Sequence, residues 1–390
     1  MDISNIVLAA LHESEGIGWK TIERIMHHGG IRSEMLHYRA KDWEACGVGV
    51  ETAHHLEHNF MLTVESVTNR MSDDDTNEPR QQCSSASNLT NDQKIRIITA
   101  LDTLYPQRLH SSSQPPWVLY AIGDLQLMEM PSIAMVGTRL PTAYGKKVAA
   151  VLAEELAEAG FAVVSGMARG IDSVVHDAVL ARDGRTIAVL GGGIDVVYPP
   201  ENRSLYEDIA DKGLILSEYP PGTKVRPGFF PRRNRIIAAL ALGTVVVEAD
   251  ARSGSLITAD MALEAGRDVF SVPGQVTSPK SRGTLDLIKQ GAKMVTCGAD
   301  IIEEYEIWLP KGIKDSYNKE RQEDHFAAGE NAGLTNDELE IYHRLEQGPG
   351  SLDDLLEQTR WDFGHLHSVL LSLIIKKQIT QLPGAIYKII

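Results

Sequence analysis

The chain has 390 residues, 43% of them hydrophobic, and a formal net charge of −15. That length predicts two or three domains with real cores. The acidic balance excludes a generally basic, nucleic-acid-coating surface. Its three cysteines, Cys46, Cys83 and Cys297, are far apart and form no CxxC pair, which excludes a disulfide framework and a cysteine zinc site.

Residues 1–65 read as short helices. GIGWKTIERIM (16–26) and GVGVETAHHLE (47–57) each set glycine-x-glycine before a helical pattern, as in helix-hairpin-helix or SAM-like modules. Two readings stand: glycines that let a backbone approach a phosphate, or glycines that only make turns. The scarcity of Lys and Arg here favours the second. The start of the chain lacks the basic flank of a signal peptide, and no apolar run reaches the length of a membrane span; a cytoplasmic protein is expected. Residues 66–93 are polar and rich in Ser, Asp and Asn, the composition of a linker.

Residues 94–305 alternate strand and helix. SIAMVGTR, FAVVSG, TIAVLGGG, GLILSEY, GTVVVEA and DVFSVPG are continuous apolar runs, the mark of strands buried on both faces. Between them lie helical patterns such as Thr142 to Gly160. The expected fold is α/β, a Rossmann-like, doubly wound, mostly parallel sheet, whose ligands bind beyond the C-terminal strand ends. Residues 306–332 read as a second linker. Residues 333–390 read as three helices and a hairpin, a winged-helix pattern, with Thr335 and Glu338 spaced as a capping box. Its third helix exposes His365, His367, Lys376 and Lys377, yet residues 331–390 carry 5 basic against 8 acidic residues. DNA and protein both remain open as its partner.

Charge is unevenly spread. Residues 1–130 net −8, residues 131–300 net zero and residues 301–390 net −7, so a local basic patch is possible in the middle. The cations there follow strand ends. VGTRLPTAYGKK offers Gly137, Thr138, Arg139 and Tyr144, a strand–glycine–helix arrangement suited to phosphate. SGMARGIDSVVH offers Gly166, Arg169 and Gly170. FFPRRNRIIAAL places Arg232, Arg233 and Arg235 with Asn234 at a helix start, against the helix dipole, where an anion between them, or carboxylates such as Glu218, would relieve the conflict. Ser253 and Gly254 precede another helix start, and Lys280 and Arg282 lie in a later loop. Tyr144 or Phe230 can stack on bases. Asp172 and His176 read either as an acid-base pair or as a cap and a packed histidine, the latter favoured because no activated nucleophile accompanies them. No catalytic triad, metal cluster or nucleotide-cofactor fingerprint accompanies these residues, so no cofactor is expected.

Taken in order, VGTR…YG, SGMARGID…H, GGGIDVVYPPEN, LSEYPPG, FPRRNRII, VVEADARSGSLITA and FSVPG resemble the signature of the DNA-processing protein A family, DprA or Smf, over roughly residues 95–300. The resemblance implies a Rossmann-like core, a helical N-terminal domain and a C-terminal winged helix. It implies a non-enzymatic protein that binds and protects single-stranded DNA, loads the recombinase RecA in natural transformation and forms a homodimer through its core. It puts Arg139 and Arg169 where the family grips the DNA backbone, with the FPRRNR arginines in the same motif set. A rival from another class is a phosphoribohydrolase-like enzyme on the lysine-decarboxylase-like Rossmann fold, with Glu248 and residues 253–258 as its loop; the chain has SGSLITAD where such enzymes need PGGxGTxxE.

Overall fold

The structure, a computed structural model, describes residues 2–72, 94–308 and 335–389, apart from residues 347, 360, 377, 383 and 384. Most of both expected linkers and Lys377 therefore lie outside the described residues. The chain divides into two compact units, Met1–Ile313 and Lys314–Ile390.

The first unit opens with α1 (Ile3–Glu13), α2 (Trp19–His27), α3 (Ala40–Ala45) and α4 (Val50–Ser72). Helix α4 runs on to Ser72, so the expected boundary after residue 65 falls inside a helix. Gly16 and Gly47 adopt positive φ in the turns that precede α2 and α4. This helical module does not stand apart from the core. Val7 to Leu11 are all buried, and a helix stretch that is apolar all round needs cover on two sides. One side is its own module, with Trp43 and Phe60; the other is the sheet, through Tyr120, Ala188 and Ile215.

The sheet has nine strands: β1 (Arg96–Thr99), β2 (Val118–Gly123), β3 (Ser132–Val136), β4 (Ala162–Ser165), β5 (Thr186–Gly193), β6 (Leu214–Tyr219), β7 (Gly243–Val246), β8 (Asp268–Ser271) and β9 (Lys293–Met294), in the order β1-β2-β6-β5-β4-β3-β7-β8-β9. β3 to β9 pair in parallel, while β1 and β2 add an antiparallel edge beside β6. Intervening helices are α5 (Gln107–His110), α6 (Ala143–Glu158), α7 (Ile171–Ala181), α8 (Arg203–Lys212), α9 (Phe229–Leu240), α10 (Gly254–Glu264), α11 (Arg282–Lys289) and α12 (Ala299–Ile302). Alternate side chains feed two cores: Ala188, Leu190 and Ile215 pack with α1 and α8, while Ile187, Val189 and Leu216 pack with α9. The chain lays down β3 to β6 in one direction, then returns through α9 to place β7 on the other side of β3. That reversal makes β3 the switch point, where neighbouring loops diverge and leave a crevice.

The second unit contains α13 (Asn336–Leu345), β10 (Gly350–Ser351), α14 (Leu352–Thr359), α15 (Phe363–Ile375), β11 (Ile379–Leu382) and β12 (Ile386–Ile389), with an antiparallel sheet ordered β10-β12-β11. The capping box forms: Thr335 Oγ1 accepts from Glu338 N at 3.3 Å and Glu338 Oε2 accepts from Thr335 N at 2.6 Å. Leu366, Val369, Leu370 and Leu373 of α15 fill the core. No helix among the described residues is long and apolar enough to cross a membrane.

Candidate nucleic-acid interface

At the C-terminal ends of β3, β4, β5 and β7 lies a cleft of about 700 Å³, lined among others by Gly137, Arg139, Asp172, Phe230, Arg233 and Ser253. A smaller pocket, also lined by Arg139 and Phe230, continues between Arg169 and Tyr198.

The first wall is the loop after β3. Thr138 N donates to the Glu248 carbonyl at 2.8 Å. The buried Glu248 carboxylate accepts from Thr142 N at 2.9 Å and from Thr142 Oγ1 at 2.5 Å, and Thr142 in turn caps α6. Lys280 Nζ donates to Thr138 Oγ1 at 3.3 Å. With both ends of the loop pinned, Arg139 projects outward, its guanidinium 5.3 Å from the Phe230 ring centroid. Gly137 is required by packing: a Cβ there would stand 2.5 Å from Ile171 Cγ1 of α7.

The second wall is the loop after β4. Gly170 has φ of +88°, and a Cβ there would lie 2.7 Å from the Arg139 carbonyl carbon, so the two loops touch through it. Gly166 makes room for the Arg233 guanidinium and the Asp172 carboxylate. Asp172 Oδ2 accepts from Ala168 N at 3.4 Å and is buried. Burial pushes its carboxyl up and Arg233 opposes that shift. Arg169 projects into solvent and pairs with Glu201.

The third wall is the start of α9, whose three arginines part company. Arg233 turns inward and is 4% exposed. Its Nη1 donates to the carbonyls of Gly166, at 2.8 Å, and Val189, and its Nε donates to Asn234 Oδ1 at 3.2 Å. Burial lowers its pKa, with Asp172 holding the charge in place. Arg235 pairs with the buried Glu218 at 2.5 Å. Arg232 stays exposed. Of the two expected kinds of partner, the carboxylate Glu218 takes Arg235, while Arg233 is met by backbone carbonyls and Asn234. The fourth wall is the start of α10, where Ser253 Oγ accepts from Ser255 N at 3.4 Å and Gly254 leaves the backbone open.

Among the residues singled out from sequence, Gly137, Arg139, Gly166, Arg169, Asp172, Phe230, Arg233, Asn234, Ser253 and Gly254 line the cleft or its pocket. Thr138, Gly170 and Lys280 support it from behind through the contacts above. Tyr144 donates its hydroxyl to the Pro273 carbonyl at 2.8 Å and does not line it; nor do Arg232, Arg235 and the exposed Arg282. Sequence reasoning missed Tyr198, whose ring packs 5.5 Å from Phe230, and Val225. The one signal for Tyr198 was an aromatic set before two prolines in a strand-end loop. His176 is no partner for catalysis: it is buried, its Nδ1 lies 2.6 Å from the Thr186 hydroxyl, and burial pushes its pKa down to about 3. Among the described residues no cluster of three or more His, Cys, Asp or Glu could hold a metal.

Comparisons with known proteins agree with this architecture. Residues 96–306 match the family model for DNA recombination-mediator protein A, and residues 327–385 match the DprA winged helix domain. Protein Smf of Synechocystis is 33% identical over 97% of both chains. The DNA processing protein DprA of Bacillus subtilis is 46% identical over 55% of this chain and 72% of its own. The X-ray structure of DprA from Streptococcus pneumoniae superposes with a TM-score of 0.66 at 34% identity, covering 78% of this chain and 99% of that one. DNA processing protein A from Helicobacter pylori, described for its single-stranded DNA binding mode, superposes with a TM-score of 0.51 at 31% identity, covering 56% and 98%. Pinned loops, a strand-end cleft and ordered motifs thus meet in one lineage, and the chain belongs to the DNA recombination-mediator protein A family, the DNA-processing proteins called DprA or Smf.

Proposed function

We propose that the chain binds single-stranded DNA in the strand-end cleft, protects it and hands it to the recombinase RecA, as in natural transformation. The observation that carries this reading is Arg139 held beside Phe230 at the cleft mouth. A cation next to an aromatic face serves a single strand, whose phosphate and unstacked base arrive together. The start of α10 at Gly254, capped by Ser253, adds an anion-accepting helix N-terminus across the cleft. The single-stranded DNA binding named for the Helicobacter neighbour supports the same reading. Gly137, Thr138, Arg139, Gly166, Arg169, Gly170, Asn234, Ser253, Gly254 and Lys280 form or brace this site in the proposal; Arg232 and Arg282 act as exposed cations outside it; Tyr144, Arg233 and Arg235 serve the fold. The protein works as a holder without catalysis, in the cytoplasm, as a homodimer through its core.

The test is anisotropy of a labelled oligothymidylate titrated with protein over a salt series, followed by RecA-driven strand exchange with and without the protein. Tight, salt-sensitive binding and faster exchange are expected; salt-insensitive or absent binding rejects the site. The rival hydrolase needs a free acid after β7. Both Glu248 carboxylate oxygens are instead engaged by Thr142. Incubation with nucleoside monophosphates is expected to release no base.

A further inference from the structure

In a winged-helix unit the helix that reads DNA presents cations and amide or hydroxyl donors to the major groove. Helix α15 presents something else. Phe363 and Leu371 are 58% and 50% exposed, and the exposed His367 lies between them, one turn from each. The Phe363 and His367 rings stack at 5.6 Å with an interplanar angle of 6°. Gly364 and Ser368 flank this stripe and are also exposed, so it is low-walled and accessible. Two of the three described Lys and Arg residues of this unit are already committed. Lys376, just past α15, pairs with Glu338 at 2.7 Å, and Arg344 pairs with Glu340 at 2.6 Å. His365 lies 3.0 Å from Asp337. Meanwhile Asp353 and Glu357, one turn apart on α14, are exposed and have no ion pair among the described residues. Across residues 331–390 acidic residues outnumber basic ones by 8 to 5.

We propose that the Phe363–His367–Leu371 face of α15 is a protein-docking surface for a basic amphipathic segment of a partner. Apolar side chains at helical spacing on that segment would cover the stripe, and its cations would meet the acidic surplus of the unit. Duplex DNA is disfavoured, because α15 itself, FGHLHSVLLSLII, carries no Lys or Arg to neutralise phosphates.

The experiment places a photo-crosslinking amino acid at position 367 of the full-length chain in its native host, with position 358 as the exposed control, and identifies the crosslinked fragment. The expected fragment is protein, carries net positive charge and has apolar residues three or four apart. Leu371→Glu should cut its yield at least tenfold while leaving the thermal unfolding midpoint and single-stranded DNA affinity unchanged. Crosslinks to DNA, to a second copy of this chain or to an acidic protein segment overturn the proposal. A yield no greater than that of the control position overturns it as well.

Discussion

The Arg139 guanidinium lies 5.3 Å from the centroid of the Phe230 ring, and both side chains line the cleft and its inner pocket. The cation is held there by an aromatic face instead of a carboxylate, so a phosphate finds it without first breaking an ion pair. Arg139→Ala should weaken binding of every single-stranded sequence roughly tenfold, the worth of about 1.5 kcal/mol for a charge-assisted contact. The log-log salt slope should fall by about 0.7, one phosphate on a single strand. Phe230→Leu should also weaken binding, by about 1–3 kcal/mol if one base stacks on it, and leave the slope unchanged. Anisotropy across a salt series separates the two effects.

Arg232 and Arg233 are neighbours in sequence with opposite fates. Arg233→Ala would leave the buried Asp172 without its counter-charge and two carbonyls without a donor. The expected cost is about 3–5 kcal/mol, read from urea unfolding. Arg232→Ala touches an exposed side chain and should move stability by less than about 0.5 kcal/mol. If Arg233→Ala unfolds like the parent, its inward network is not what holds the Gly166 loop.

How much of this could be read from residue order follows from the physics of each piece. The Val/Ile/Leu runs of β3 to β8 were legible because strands buried on both faces leave an unbroken apolar record. The antiparallel edge of β1 and β2 was not, since RIIT and VLYAIG are too short to show which way they pair. The docking of the helical module was hidden too. It depends on Trp19 stacking on Trp117 at 5.6 Å and donating to the Pro115 carbonyl at 2.7 Å, partners remote in sequence. The arginine cluster was half legible. Successive helical residues turn by roughly 100°, so Arg232 and Arg233 cannot share a direction. Which one faces inward depends on where Gly166 and Val189 come to rest, and only the folded sheet decides that.

Arg169 is the cleft cation with a competitor. It pairs with Glu201, and both are about half exposed. A phosphate arriving at Arg169 must displace that carboxylate. Glu201→Gln should therefore strengthen single-stranded DNA binding several-fold, most clearly at low salt, with little effect on stability. Arg169→Ala should lose less affinity than Arg139→Ala for the same reason. A weaker Glu201→Gln complex would mean that the carboxylate orients Arg169 for the strand instead of masking it.

Two buried groups shape the response of stability to pH, and the first is His176. Its imidazole is buried and pushed down to about 3, from an ordinary value of 6.5. A depressed histidine favours folding while it is neutral. That contribution is complete above about pH 6.5 and is lost as pH falls towards about 3, by up to about 1.4 kcal/mol per pH unit for a single group. Asp172 acts in the opposite sense: burial raises it from 3.8 to about 6, so its contribution is complete below pH 3.8 and is lost as pH rises through about 6. The two slopes oppose each other between about pH 4 and 6, which flattens the profile of the parent there. His176→Gln can keep a hydrogen bond to Thr186 and removes only the histidine's titration. Urea midpoints for this variant should therefore rise as pH falls from 6 to 4, where those of the parent change little. Identical pH profiles for parent and variant would show that His176 is not held neutral in the folded protein.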